Sequence, residues 1–114
     1  MKEYLSDIID ILDAAEKHGK IVIENFPNNA WNSKITTSNL IKDMEENYLI
    51  NIERCEDSSF KGITLRQPGE SLLRTLRNET VTKTTLSQAK DQGVPPSVAY
   101  IVGSARRIAQ ELDI

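Results

Sequence analysis

Residues 62–81 read "GITLRQPGESLLRTLRNETV", and this segment passes from an alternating pattern into a helical one. Residues 62–65 fit a strand, whereas Leu72, Leu73 and Leu76 repeat at the spacing of one helical face. Pro68 suits the first turn of a helix, because the N–H that it lacks would have no partner there. The segment therefore predicts a strand that leads directly into a helix near Pro68 and Gly69.

The residues before this segment predict a first helix and a short strand. An apolar face recurs at helical spacing up to Lys17 and His18, and Gly19 then provides a C-terminal stop. That face consists of Leu5, Ile8, Ile9, Leu12 and Ala15. Residues 20–27 follow as a short β run ended by Pro27. Residues 28–36 give no clear pattern.

A second helix and a hairpin are predicted next. Thr36 or Thr37 can act as the N-cap of the helix. Its apolar face is expected to contain Leu40, Ile41, Met44 and Tyr48. Residues 49–52 and 62–65 then alternate as strands on either side of a polar tip at residues 53–61, which is typical of a β-hairpin with a loose loop.

Two further helices are predicted in the C-terminal part. The first follows Asn78 and closes at Gly93, and the second starts near Ser97. The second carries an apolar stripe of Val98, Ile101, Val102, Ala105, Ile108, Ala109 and Leu112. Such a stripe must cover a core or a partner chain. We expect packing within the chain, with a homodimer through the C-terminal helices as the alternative.

This order of elements predicts a winged helix-turn-helix, mainly α with a small antiparallel β-hairpin and therefore of the α+β class, with extra C-terminal helices. We expect residues 1–78 to form the winged-helix domain. Residues 79–114 would be a helical extension packed on it, so that the chain is one globular unit. The 114 residues suit a single domain of this kind.

The segment also resembles a bacterial and prophage family known as domain of unknown function 2513. The shared pattern is a leucine, a glycine four residues later, an apolar pair and an apolar-Arg-Asp/Asn-Glu-Thr-Val run. Leu65, Gly69, Leu72-Leu73 and residues 76–81 match it here. The likeness extends back through "MEENYLI" and covers roughly residues 37–82. It implies a winged-helix fold and a phage or mobile-element setting, but no mechanism.

The chain departs from this family at three positions. Tyr48 stands where members usually have glycine, Arg66 where they have threonine, and Thr82 where they have tryptophan. These departures indicate a divergent member.

Composition argues against several classes of protein. Hydrophobic residues make up 39% of the chain and charged residues 27%, but the apolar runs are too short to cross a membrane, so we expect a cytoplasmic protein with no membrane partner. Cys55 is the only cysteine, which excludes an internal disulfide and a cysteine-based zinc cluster. His18 is the only histidine and suits a helix end better than catalysis. We therefore expect no enzyme, no catalytic residue, no metal and no cofactor.

Charge divides the chain and leaves two kinds of partner open. Residues 1–60 carry 6 basic and 12 acidic residues, whereas residues 61–114 carry 8 and 5. For DNA binding, the candidates are Lys34, Thr37, Ser38, Asn39, Lys42, Arg54, Lys61, Arg66, Arg74 and Arg77. For docking on a basic protein surface, as a phage-type adaptor or inhibitor would, they are Asp43, Glu45, Glu46, Glu53, Glu56 and Asp57. The cations would have to compensate an acidic second helix before phosphate could approach.

Overall fold

The computed structural model describes residues 2–22, 34–54, 56, 60–95 and 97–113. Within them the chain is mainly helical with a small antiparallel sheet, which confirms the predicted α+β class. The elements are α1 (Lys2–His18), β1 (Ile21–Val22), α2 (Lys34–Glu46), β2 (Ile50–Arg54), β3 (Phe60–Leu65), α3 (Gln67–Leu76), α4 (Glu79–Gln92) and α5 (Val98–Glu111). The predicted strand end at Pro27, Cys55 and the candidate Asp57 lie outside the described residues.

The sheet has three strands in the order β1-β3-β2, and both pairs are antiparallel. In the predicted hairpin, Ile50 pairs with Leu65 and Ile52 with Ile63, and the register shifts at Glu53 and Arg54. β1 adds to the free edge of β3 through Ile21 and Val22. The short β run was predicted, but its partner strand was not, because pairing over forty residues leaves no local signal.

α1 is buried along a wider arc than its spacing predicted. Leu5, Ile8, Leu12 and Ala15 are buried as expected, but Ile11 is fully buried and Ile9 only partly. The helix contacts both α3 and β3, so two sides of it are covered. The helix ends at His18, and Gly19 follows with φ 73°, a left-handed conformation that glycine adopts without strain.

The predicted start of α2 is wrong. The helix begins at Lys34, so Thr36 and Thr37 lie inside it and neither is the N-cap. Threonine costs only about 0.5 kcal/mol relative to alanine inside a helix, so its capping preference does not prevent the helix from starting earlier.

Tyr48 is also not on the buried face of α2. Leu40, Ile41 and Met44 are buried, whereas Tyr48 is 63% exposed and has φ 63°. The Tyr48 N–H donates to the Glu45 carbonyl at 3.0 Å, and the Leu49 N–H donates to the Met44 carbonyl at 3.0 Å. This is the Schellman arrangement, which ends a helix at a left-handed residue. The helix therefore stops before Tyr48, and the reversal turns the ring toward solvent.

Gly69 lets the first turn of α3 approach the start of β2. A Cβ on Gly69 would lie 2.1 Å from the Leu49 carbonyl oxygen, and the same oxygen accepts a hydrogen bond from the Arg66 N–H at 3.0 Å. The predicted passage from strand to helix is confirmed, with Pro68 in the first turn of α3. The close approach explains why glycine follows that proline.

α5 uses most of its apolar stripe inside the chain. Five of its seven stripe residues are buried in the same core cluster as α1, α2 and α3, or at its margin: Val98, Ile101, Ala105, Ile108 and Ala109. The helix contacts α2, α3 and α4. Val102 is partly buried and Leu112 is 45% exposed. None of the helices that the structure describes is both long and apolar enough to cross a membrane.

Candidate functional site

α2 and the hairpin present the surface on which most of the candidate residues lie. α2 buries Leu40, Ile41 and Met44 and contacts β2, so the opposite side of the helix faces outward. Asn39 and Lys42 are exposed on that side. We call this surface the α2–hairpin face. It consists of the outward side of α2, of β2, and of the base and the tip of the β2–β3 hairpin. Lys34, Thr37 and Ser38 belong to the helix by their backbone.

Charge changes sign along α2. Residues 34–42 contain Lys34 and Lys42 and no acidic residue, whereas residues 43–46 contain three acidic residues and no basic one. Those three are Asp43, Glu45 and Glu46. Carboxylates at a helix C-terminus face the negative end of the helix dipole, which disfavours them there. The first part of α2 therefore suits an anionic ligand, and its last turn suits a cationic one.

Two ion pairs bind the hairpin to neighbouring elements. The Arg54 guanidinium lies 3.3 Å from the Glu45 carboxylate of α2, and the Lys20 ammonium lies 2.6 Å from Glu53. All four side chains are partly exposed, and pairs of this kind contribute about 0–1 kcal/mol each. Arg54 is thus engaged by a carboxylate, which weakens it as a phosphate ligand, while Glu45 and Glu53 are partly neutralised.

Arg66 and Tyr48 form a cation–π contact at the base of the hairpin. The Arg66 guanidinium carbon lies 5.6 Å from the centre of the Tyr48 ring. An exposed contact of this type contributes about 0.5–1 kcal/mol. The left-handed backbone of Tyr48 costs about 1–2 kcal/mol. The contact therefore does not offset the strain, and Tyr48 is not explained by stability of the fold.

Arg77 lies at the other end of α3 from Arg66. Its guanidinium donates to Asp13 at 2.8 Å and to Glu16 at 2.7 Å, both on α1. The hydrogen bonds to Glu16 and then to Asp13 raise the pKa of Arg77, so it stays charged. Since ten helical residues span about 15 Å, Arg77 is remote from the hairpin base. The geometry assigns it to the α1–α3 contact.

The remaining candidates are only partly brought together. Arg74 is exposed on α3, and Glu56 is exposed beyond β2. The backbone of Lys61 belongs to β3. No local pattern predicts Lys20 as the partner of Glu53, and helical spacing places Tyr48 on the wrong face. No local pattern marks Tyr48 as a residue with positive φ, a conformation that favours glycine.

Two further features lie away from this face. On α1, burial raises the pKa of Asp7, and the negative charges of Asp10 and then Glu3 raise it further. Burial also raises the pKa of Asp10, and the negative charge of Asp13 adds to that increase. Between α3 and α5 a groove is lined by Pro68, Ser71, Leu72, Thr75, Val102 and Arg106. Within the described part of the chain, no group of three or more His, Cys, Asp or Glu side chains is arranged to hold a metal ion.

Comparison with known proteins gives no match: no family model fits the chain, and no curated protein or solved structure is significantly similar to it.

Proposed function

We propose that this chain is a divergent winged-helix protein of the domain of unknown function 2513 type, which binds DNA in gene regulation in a phage or prophage setting. Support for the fold comes from the sheet order β1-β3-β2 and from α2 preceding the β2–β3 hairpin, which would be the wing. Support for the family comes from two of its glycine positions. Gly69 packs against the Leu49 backbone, and Tyr48 occupies a left-handed position that favours glycine.

The observation that carries DNA binding is the distribution of charge along α2. A recognition helix contacts base edges mainly through its N-terminal residues. That half of α2 has Lys34, Ser38, Asn39 and Lys42 and no carboxylate. An asparagine can donate to and accept from adenine, and the lysines can neutralise phosphate. The carboxylates lie in the last turn, at the end away from the base edges.

The number of available cations limits the expected affinity. Arg54 is engaged by Glu45, whereas Lys42 and Arg66 are exposed. Lys34 and Lys61, whose backbones belong to α2 and β3, bring the number of candidate cations to four. About four phosphate contacts correspond to a slope near −4 in a plot of log affinity against log salt. We therefore expect weak binding that is lost at physiological salt unless base contacts add to it.

The test is a fluorescence polarisation titration of a labelled duplex, about two helical turns long, at about 50 mM and about 200 mM salt. We expect binding at the lower salt, and Lys42→Ala to weaken it by several-fold and to reduce the salt slope by about one. Lys83→Ala on α4 is the matched control, because Lys83 is also an exposed helix lysine and lies outside this face. Folded protein that binds no duplex at the lower salt would exclude DNA binding.

The second candidate is a protein-binding adaptor or inhibitor, and the last turn of α2 favours it. Asp43 and Glu46 are exposed there, and Glu56 is exposed beyond the hairpin strand. Anions of this density can attract a basic protein surface. The same titration separates the two candidate functions. If the protein binds DNA, Asp43→Asn and Glu46→Gln should each strengthen duplex binding, because each removes a carboxylate that repels phosphate. If both variants leave the folded protein without affinity for DNA, the protein-binding role becomes the lead.

A further inference from the structure

Tyr48 combines three properties that stability does not account for. Its ring is 63% exposed, its φ is 63°, and its described side-chain contact is the guanidinium of Arg66. An exposed aromatic ring on a left-handed backbone contributes little apolar burial, and strained residues of this kind cluster at binding sites. Glycine would satisfy the same helix end without strain. A tyrosine at this position therefore indicates a use for the ring.

The backbone places the two side chains together at the base of the hairpin. Ile50 pairs with Leu65, so Tyr48 lies just before the first strand and Arg66 just after the second. The hydrogen bond from the Arg66 N–H to the Leu49 carbonyl, at 3.0 Å, fixes the two backbones against each other. The Tyr48 ring is thus attached to a fixed backbone, and its contact limits the positions that the Arg66 guanidinium can take, although both side chains remain exposed.

A restricted arginine is better prepared for phosphate than a free one. Its planar guanidinium can donate two parallel hydrogen bonds to a phosphate group, and each rotamer frozen in advance lowers the entropy lost on binding. The C-terminal end of α2, with its three carboxylates, lies beside this point in the chain. A cation held in place here can offset the repulsion that those carboxylates exert on a phosphate.

We propose that Tyr48 is a positioning residue that holds the guanidinium of Arg66 as a contact for the phosphodiester backbone of duplex DNA at the base of the hairpin. The proposal rests on the DNA binding proposed above and adds a residue that acts through Arg66. Tyr48 need not touch the nucleic acid itself.

A double-mutant cycle tests the coupling with the same labelled duplex and the same two salt concentrations. Arg66→Ala should weaken binding by several-fold at about 50 mM salt and reduce the salt slope by about one. Tyr48→Gly should weaken binding by about three-fold in the wild-type background and have no effect in the Arg66→Ala background. Tyr48→Phe should bind like the wild type, because it keeps the ring that contacts Arg66.

Two controls separate this role from a structural one. Tyr48→Gly relieves the left-handed strain, so a urea unfolding curve should show a folded protein whose affinity has nevertheless fallen. Arg107→Ala removes an exposed arginine of α5, which bonds to Gln88 of α4, and should leave duplex binding unchanged.

Each outcome decides the proposal. If Tyr48→Gly binds like the wild type, or if its loss persists in the Arg66→Ala background, the positioning role is wrong while DNA binding stands. If the folded wild-type protein binds no duplex at about 50 mM salt, both the proposed function and this inference fall.

Discussion

Gly69 shows how one position links the helix, the strand and the turn between them. A Cβ there would lie 2.1 Å from the Leu49 carbonyl oxygen and 2.9 Å from a methyl group of Leu65. The first of these contacts is with backbone, which cannot move without disturbing the Arg66 hydrogen bond to the same oxygen. The glycine is therefore required by space and not by its φ.

We predict that Gly69→Ala lowers the free energy of unfolding by about 3 kcal/mol or more, because an overpacked backbone contact must be relieved. Urea denaturation measures the change. Gly103→Ala is the matched control: it lies in α5 with nothing within 4 Å of the added carbon, and should raise stability by about 0.5–1 kcal/mol. Equal effects of the two substitutions would contradict the assignment of a close approach at Gly69.

At the scale of elements, the Asn-Glu-Thr-Val run at residues 78–81 joins α3 to α4. The Asn78 side-chain oxygen accepts hydrogen bonds from the N–H groups of Thr80 and Val81, at 3.0 and 3.3 Å. The Thr82 hydroxyl donates to the Leu76 carbonyl at 2.7 Å, and Val81 is fully buried. The run therefore caps α4, and Thr82, which follows it, ties the first turn of α4 to the end of α3.

Asn78→Ala should lower the free energy of unfolding by about 1 kcal/mol, because two N–H groups at the start of α4 lose their acceptor. Asn78→Asp keeps an oxygen in the same place and should remain within a few tenths of a kcal/mol of the wild type. Thermal or urea unfolding of the three proteins checks this. An alanine variant as stable as the aspartate variant would show that the cap contributes nothing.

The whole molecule depends on α5 for part of its core. Val98, Ile101, Ala105 and Ile108 belong to the same buried cluster as Leu73 of α3. Residues 98–111 are therefore packed on the body of the protein, and the apolar stripe is largely satisfied within one chain. A homodimer through the C-terminal helices stays a prediction, with Val102 and Leu112 as the stripe residues left for it.

A chain ending at Gly93 should lose cooperative unfolding, since it would expose the core that α5 covers and each large apolar side chain so exposed costs about 1.5–3 kcal/mol. Circular dichroism during urea titration is the measurement. A sharp transition in the shortened chain would show that residues 1–93 fold alone.

Light scattering of the full chain tests the homodimer by measuring its mass in solution. A monomer mass would contradict the prediction of a homodimer.

Local patterns were enough for the features that depend on neighbouring residues. Gly19 and Gly93 end helices as predicted, and Gly93 has φ 64°. The hairpin and the start of α3 at residues 67–69 also followed from alternation and from proline chemistry. Each of these features is governed by hydrogen bonds and dihedral angles within a few residues, which a sequence displays directly.

Contacts between distant segments decided the rest. The pairing of β1 with β3, the attachment of Arg77 to α1 and the use of the α5 stripe inside the chain all join residues that lie far apart in the sequence. Tyr48 is different, because the hydrogen bonds that expose it are local: helical spacing placed it in the core, but the bonds to Met44 and Glu45 end α2 before it and turn it to solvent. Periodicity shows which face of an element is apolar, but only packing determines what covers that face and where an element must end.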